Sequence, residues 1–204
     1  MDAYTYLARG KVFANAQTGN LVLLGVRAFE GEWARALCTL VPVCAFIAGT
    51  VLTEVIRVRG GSLRRLNWRQ LVLLIESAVL LAAAFMPGRL DSVVNAGVSF
   101  VCAMQLAAFR VLRGNPYATT MVTGNLRSGA EHLWRYARER GRESLLSGLG
   151  YFAVIACFVL GAGVGALAVE RFALRAALLP AGLLLAAALV AVWTAPDARE
   201  KTPE

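Results

Sequence analysis

Apolar and polar positions divide the chain into long hydrophobic runs joined by short charged links. Arg35 to Arg57, Trp68 to Pro87, Asp91 to Leu112, Leu145 to Val169 and Leu174 to Trp193 each approach span length. A helix needs roughly 20 such residues to cross a bilayer, so the pattern predicts an all-α fold, a polytopic membrane helix bundle with five full spans. Pro42 is expected to kink the first. Residues 12 to 29 are apolar but interrupted by Asn15, Gln17, Thr18, Gly19 and Asn20, which predicts a helix break rather than a lipid-facing span. Arg113 to Glu143 is too polar to lie wholly in hydrocarbon, and Thr123-Gly124-Asn125 lies near its start, after a Gly114-Asn115-Pro116 turn. The polar tail from Ala195 to Glu204 is expected to be disordered.

Thr18-Gly19-Asn20-Leu21 returns as Thr123-Gly124-Asn125-Leu126, each time before a charged connection and two long apolar runs. That context makes it a repeat, with a first copy over 1–87, a second over 88–195 and a tail over 196–204, all one membrane domain. Met104-Gln105-Leu106-Ala107 falls where Met1-Asp2-Ala3-Tyr4 falls in the first copy, which lacks the helix that Asp91 to Leu112 supplies to the second. With that helix restored each copy has three spans, and an odd number per copy forces opposite orientations across the membrane. An in-frame apolar segment of about 15 to 20 codons is therefore expected upstream of Met1. With it, residues 12 to 29 re-enter from the outer face; without it, a helix about 27 Å long is drawn straight through, leaving Arg9 and Lys11 cytoplasmic.

Composition supports the lipid setting. A mean hydropathy of +0.59 and 58% hydrophobic residues exceed what one soluble core can use. The net charge of +8 does not point to nucleic acid, because the arginines sit in short links rather than on one basic face. Counted by link, fourteen basic residues fall on one side of the spans and five on the other, which predicts a multi-pass protein with a cytoplasmic C-terminus. Met1 to Leu7 has no signal-peptide pattern. Cys38, Cys44, Cys102 and Cys157 lie singly in apolar runs and His132 stands alone, so neither metal, cofactor nor disulfide is expected. Gly161 and Gly165 read as a close helix-packing pair.

The candidate chemistry gathers at the repeat. Gly19 and Gly124 permit backbone angles closed to other residues, and Thr18, Asn20, Thr123 and Asn125 can cap the helix that follows. Paired half-helix starts facing a cavity would favour an anion or the acceptor groups of a polar solute. Asn15, Gln17 and Gln105 would add amide contacts. The competing reading, at even weight, is that these groups satisfy broken backbone and bind nothing. Glu76 lies roughly 10 Å into its span, where an ionised carboxyl facing lipid would cost at least about 2.5 to 3.5 kcal/mol. It should face the bundle, as a proton-coupling group or as a buried carboxyl bonded to Ser77 or an amide. Glu54 reads as the partner of Arg57.

The pieces Asp2-Ala3, Val12-Phe13-Ala14-Asn15-Ala16-Gln17-Thr18-Gly19-Asn20, Met104-Gln105 and Val122-Thr123-Gly124-Asn125 resemble the YoaK family of small bacterial inner-membrane proteins, a domain of unknown function. The resemblance covers nearly the whole chain. It implies a Phe-x-x-Asn-x-Thr-Gly-Asn signature and a further apolar helix ending in Gly-x-x-Asp-Ala; this chain starts just before that Asp-Ala. It implies no activity. Two function classes follow: a transporter or channel for a small polar or anionic solute, and a membrane scaffold or assembly protein without cargo. Lipid and further copies of the chain are partners either class allows, and the solute is a partner of the first alone. No enzyme is expected, since H-E-x-x-H, G-x-S-x-G and paired intramembrane aspartates are absent from the sequence.

Overall fold

The computed structural model of the chain describes residues 1–59, 67–112, 115–118 and 122–194. The expected tail over 196–204, Gly114 of the expected turn, and Arg64, Arg65, Arg113, Arg199 and Lys201 of the charge count lie outside the described residues. Among those described, eight α-helices form: α1 Asp2–Ala8, α2 Gln17–Phe29, α3 Trp33–Arg59, α4 Trp68–Phe85, α5 Asp91–Ala108, α6 Val122–Glu139, α7 Arg142–Phe172 and α8 Leu178–Thr194. Two β pairs only, β1 (Val111–Leu112) against β2 (Asn115–Pro116), leave the fold all-α. That bridge also shortens the third expected span, which stops at Ala108 instead of Leu112.

Among the described residues, four stretches are long and apolar enough to cross a membrane: α3, α4, Gly88–Ala108 and Arg142–Ala191. The last contains two helices, because Ala173 adopts a left-handed φ of 48° and a 3-10 turn over Ala173–Ala177 separates α7 from α8. The protein is therefore a membrane helix bundle, with α3, α4, α5, α7 and α8 as its five long apolar helices among the described residues. Its outer surface carries Leu160, Leu167 and Leu183, whereas the interior is built from small residues such as Ala83, Ala84, Ala177, Ala181 and Cys102. Lipid provides no hydrophobic force between helices, so close backbone approach has to supply the cohesion. Gly49 shows the principle: a side chain there would collide with the Phe100 carbonyl oxygen of α5 and come within 3.2 Å of Ala103 Cβ. Gly165 likewise seats Ala3 of α1, whose Cβ would stand 3.3 Å from a methyl group added at the glycine, while Gly161 faces open space.

Local sequence explains where α4 begins. Asn67 Oδ1 accepts the Arg69 N–H at 3.1 Å and Gln70 Oε1 accepts the Asn67 N–H at 2.9 Å, a reciprocal cap that satisfies two helix-start donors. α4 then packs on α8 and α5, and α5 packs on α3.

The N-terminal segment re-enters. α1 ends at Arg9, which is fully buried and donates to the carbonyls of Ala83 and Met86 at the far end of α4. The chain reverses through left-handed Gly10 (φ 82°) and Lys11 (φ 61°). It then turns inward, since Gln17 at the start of α2 reaches Ser99 in the middle of α5. α2 runs back out along α3, and the left-handed turn at Gly31 (φ 80°) leads into α3. Both ends of residues 12–29 thus lie toward the α4–α5 turn, and Arg9 lies at the end of the bundle opposite Arg57. The straight-through path does not occur, because Arg9 is held at that turn. α6 packs on α7, with Gly129 against Tyr151 and Phe152 and Gly148 against Leu133. Its outer end meets the start of α7, so α2 and α6 leave the bundle toward opposite faces.

Candidate functional site: the break before α2 and an adjoining cleft

The sequence puts the break at Thr-Gly-Asn; the chain breaks earlier. α2 starts at Gln17 after an Ala16 cap that makes no side-chain bond, so Thr18, Gly19 and Asn20 occupy the first helical turn rather than capping it. Gly19 and Gly124 are helical, and among the described glycines only Gly10 and Gly31 have positive φ. A side chain at Gly19 or Gly124 would meet nothing within 4 Å, so neither close packing nor backbone strain requires glycine there. Thr123 and Gly124 fall in the first turn of α6 in the same way, both exposed, and Thr18 is exposed too.

The groups around the break are largely spent on the break itself. Asp2 Oδ1 accepts the Asn15 N–H at 3.2 Å, and Thr5 Oγ1 accepts the Ala14 N–H at 3.4 Å. Gln17 Nε2 donates to the Ala14 carbonyl at 2.7 Å and to Ser99 Oγ at 2.8 Å, and Ser99 Oγ donates to the Pro42 carbonyl at 2.7 Å. Asn20 is buried and donates to Gln17 Oε1 at 3.1 Å. The N–H groups of Gln17, Gly19 and Asn20 already find the carbonyls of Asn15 and Ala16. Little of the helix-start potential for an external anion remains, and the carboxyl of Asp2 already sits against it.

The second copy behaves alike. Asn125 is buried and pairs twice with Ala118: its Oδ1 accepts the Ala118 N–H at 3.1 Å and its Nδ2 donates to the Ala118 carbonyl at 2.7 Å. Tyr151 Oη donates to the Pro116 carbonyl at 2.6 Å and fixes the same loop to α7. Asn20 and Asn125 are each engaged within their own half of the chain.

What the structure does bring together is a cleft of about 280 Å³ in which Asp2, Asn15 and Gln105 supply the polar lining and Cys102 lies beside them. Its apolar walls come from α7 and α8, with Gly161 and Leu183 among them. Asp2 and Gln105, which the sequence comparison of the two halves matches, both line it. Gln105 Oε1 is buried and has no hydrogen-bond partner among the described residues. Glu76 lies outside this cleft, wholly buried in α4, and neither of its carboxyl oxygens has a partner among the described residues. Ser77, one of its expected partners, donates instead to the Ala181 carbonyl of α8 at 2.9 Å. Glu54 pairs with Arg57, Oε2 accepting from Nε at 2.8 Å, and also with Arg110 at 3.0 Å.

Sequence reasoning missed Asp2, Thr5 and Ser99 as parts of this arrangement, and Arg9, whose guanidinium donates to Asp91 Oδ1 at 3.0 Å and whose carbonyl accepts from Asn95 Nδ2 at 2.9 Å. The available signal was that Arg9 and Asp91 both border apolar runs, where an unpaired charge is expensive. A protein-family model described as "Protein of unknown function (DUF1275)" matches residues 1–191, and the chain belongs to that family, in agreement with its YoaK-like signature. No curated protein and no solved structure matches it.

Proposed function

Because the family's description assigns no activity, we propose from the geometry that the protein moves a small polar solute across the membrane, without enzymatic chemistry, through a site formed by Asp2, Asn15 and Gln105. The observation that carries this is Gln105, which lines a cleft walled by α7 and α8 and whose amide oxygen is buried with no hydrogen-bond partner among the described residues. A buried acceptor left unbonded costs roughly 1 to 3 kcal/mol, which a solute donor would offset. The internal use of the α2 N–H groups favours a neutral polar solute over an anionic one. The opposite exits of α2 and α6 support an inverted pair of repeats around this level of the membrane, the arginine bias supports a cytoplasmic tail, and the YoaK-like signature supports the bacterial inner membrane as its place.

The test is uptake by proteoliposomes of a panel of polar solutes, with and without a pH gradient. A solute taken up by the native protein and not by Gln105→Ala, with the variant folded, supports the reading. Absence of uptake across neutral, cationic and anionic members would favour the scaffold instead.

A further inference from the structure

A second cavity, of about 400 Å³, lies where the last turns of α3, the first turn of α4 and the end of α5 converge. It is on the opposite end of the bundle from Arg9. Among the described residues three arginines line it, Arg57, Arg69 and Arg110, against a single carboxylate, Glu54. Glu54 serves two of them at once, with Oε2 accepting from Arg57 and Oε1 from Arg110. The third is held differently: Arg69 Nε donates to the Ala108 carbonyl at 3.2 Å, and the guanidinium lies 4.8 Å from the centre of the Trp68 ring. Its two Nη groups make no hydrogen bond among the described residues. The lining therefore keeps an excess of positive charge in which one planar fork is fixed in place and unused.

We infer that this cavity binds a phosphate group, carried by an anionic lipid headgroup or by a soluble phosphate. Guanidinium matches phosphate oxygens with paired donors and is weakly hydrated, so it gives up water at modest cost. The cavity sits at the ends of the membrane helices beside Trp68, the depth at which headgroups and interfacial tryptophans lie. Glu54 acts as the resident competitor: it spaces Arg57 and Arg110 and keeps part of their charge occupied. This site is independent of the polar cleft at Gln105 and stands whether or not a solute crosses there.

The experiment places the full chain in phosphatidylcholine nanodiscs, in discs also containing phosphatidylglycerol, and in phosphatidylcholine discs with added inorganic phosphate. Thermal unfolding is followed in each. Phosphatidylglycerol raises the melting temperature of the native protein, and Arg69→Gln or Arg110→Gln removes most of that rise, with binding weakened about tenfold or more. Arg135→Gln, exposed on α6 and outside the cavity, leaves the rise intact, which separates the site from general attraction of a basic protein to an acidic membrane. Glu54→Gln enlarges it, whereas a purely structural Glu54 would lower the melting temperature equally in both lipids. A rise produced by inorganic phosphate alone, lost in the same two variants, supports the phosphate site and assigns it to a soluble ligand. No rise with either phosphate source, or a full rise retained in Arg69→Gln and Arg110→Gln, overturns the inference.

Discussion

Arg9 and Asp91, 82 positions apart, form a salt bridge of 3.0 Å in which the Arg9 side chain is wholly buried and that of Asp91 is 31% exposed. The same guanidinium donates to Tyr4 Oη at 2.7 Å and to the Ala83 and Met86 carbonyls, while Asn95 Nδ2 donates to the Arg9 carbonyl at 2.9 Å. A charge at this place is tolerated because its donors find the Ala83 and Met86 carbonyls at the end of α4, a phenol and a carboxylate. It clamps the left-handed turn at Gly10 and Lys11 to the α4–α5 turn, and so determines that the following segment turns inward.

Arg9→Ala should therefore cost about 3 kcal/mol or more, the order expected when one partner of a buried ion pair is removed. Arg9→Lys should recover only part, since an ammonium cannot reproduce the planar fork. Thermal unfolding in detergent reads both. A native-like midpoint for Arg9→Ala would show that the clamp is dispensable.

The glycines should divide by packing and not by motif. Gly49→Ala has to push α3 from the Phe100 backbone and should destabilise by about 1 to 3 kcal/mol. Gly19→Ala and Gly124→Ala meet no neighbour and replace a poor helix former with a good one, so they should be neutral or stabilising by up to about 1 kcal/mol. Unfolding midpoints of the three variants, compared in one detergent, give the order directly.

Asn125→Ala should lower stability by roughly 1 to 3 kcal/mol, because both backbone groups of Ala118 lose their partner at once. It should leave binding of a transported solute at the Gln105 cleft unchanged in affinity. Equal loss of solute affinity in Asn20→Ala and Asn125→Ala, with folding intact, would return the site to the repeat motif itself.

Glu76→Gln removes no hydrogen bond made by the described residues, so the variant should fold with native or higher stability. If uptake responds to a pH gradient, this substitution should abolish the response while leaving solute binding in place. Retention of the full response in a folded Glu76→Gln would exclude this carboxyl from coupling.

The long helices were legible because lipid imposes a single length scale on apolar runs, and α4 and α5 begin at the residues their charge pattern suggests, Trp68 and Asp91. The re-entrant path was half legible. The polar cluster from Asn15 to Asn20 announces an interruption, but polar residues in a first helical turn and in a break look alike without knowing which acceptors lie nearby. Those acceptors are Ser99, Pro42 and Asp2, all remote in sequence or hidden in an adjoining helix. Gln105 and Asn15 stand out through repeat matching and amide chemistry, whereas Arg9 reads as a topology charge because nothing local reveals the carbonyls of Ala83 and Met86. The basic cavity is invisible for a related reason: Arg57, Arg69 and Arg110 belong to three different helix ends and converge only in space.

The central claim is that residues 12–29 dip into the membrane and return to the face they left, placing the polar break inside the bundle. Single cysteines at Lys11→Cys and Glu30→Cys, both at exposed positions, in a background lacking the four native cysteines, test it with a membrane-impermeant maleimide applied to intact cells and to inverted vesicles. Re-entry requires both positions to react from the same side, in the same preparation. Reaction of one position in intact cells and of the other only in inverted vesicles would mean that the segment crosses the membrane, and would contradict the account.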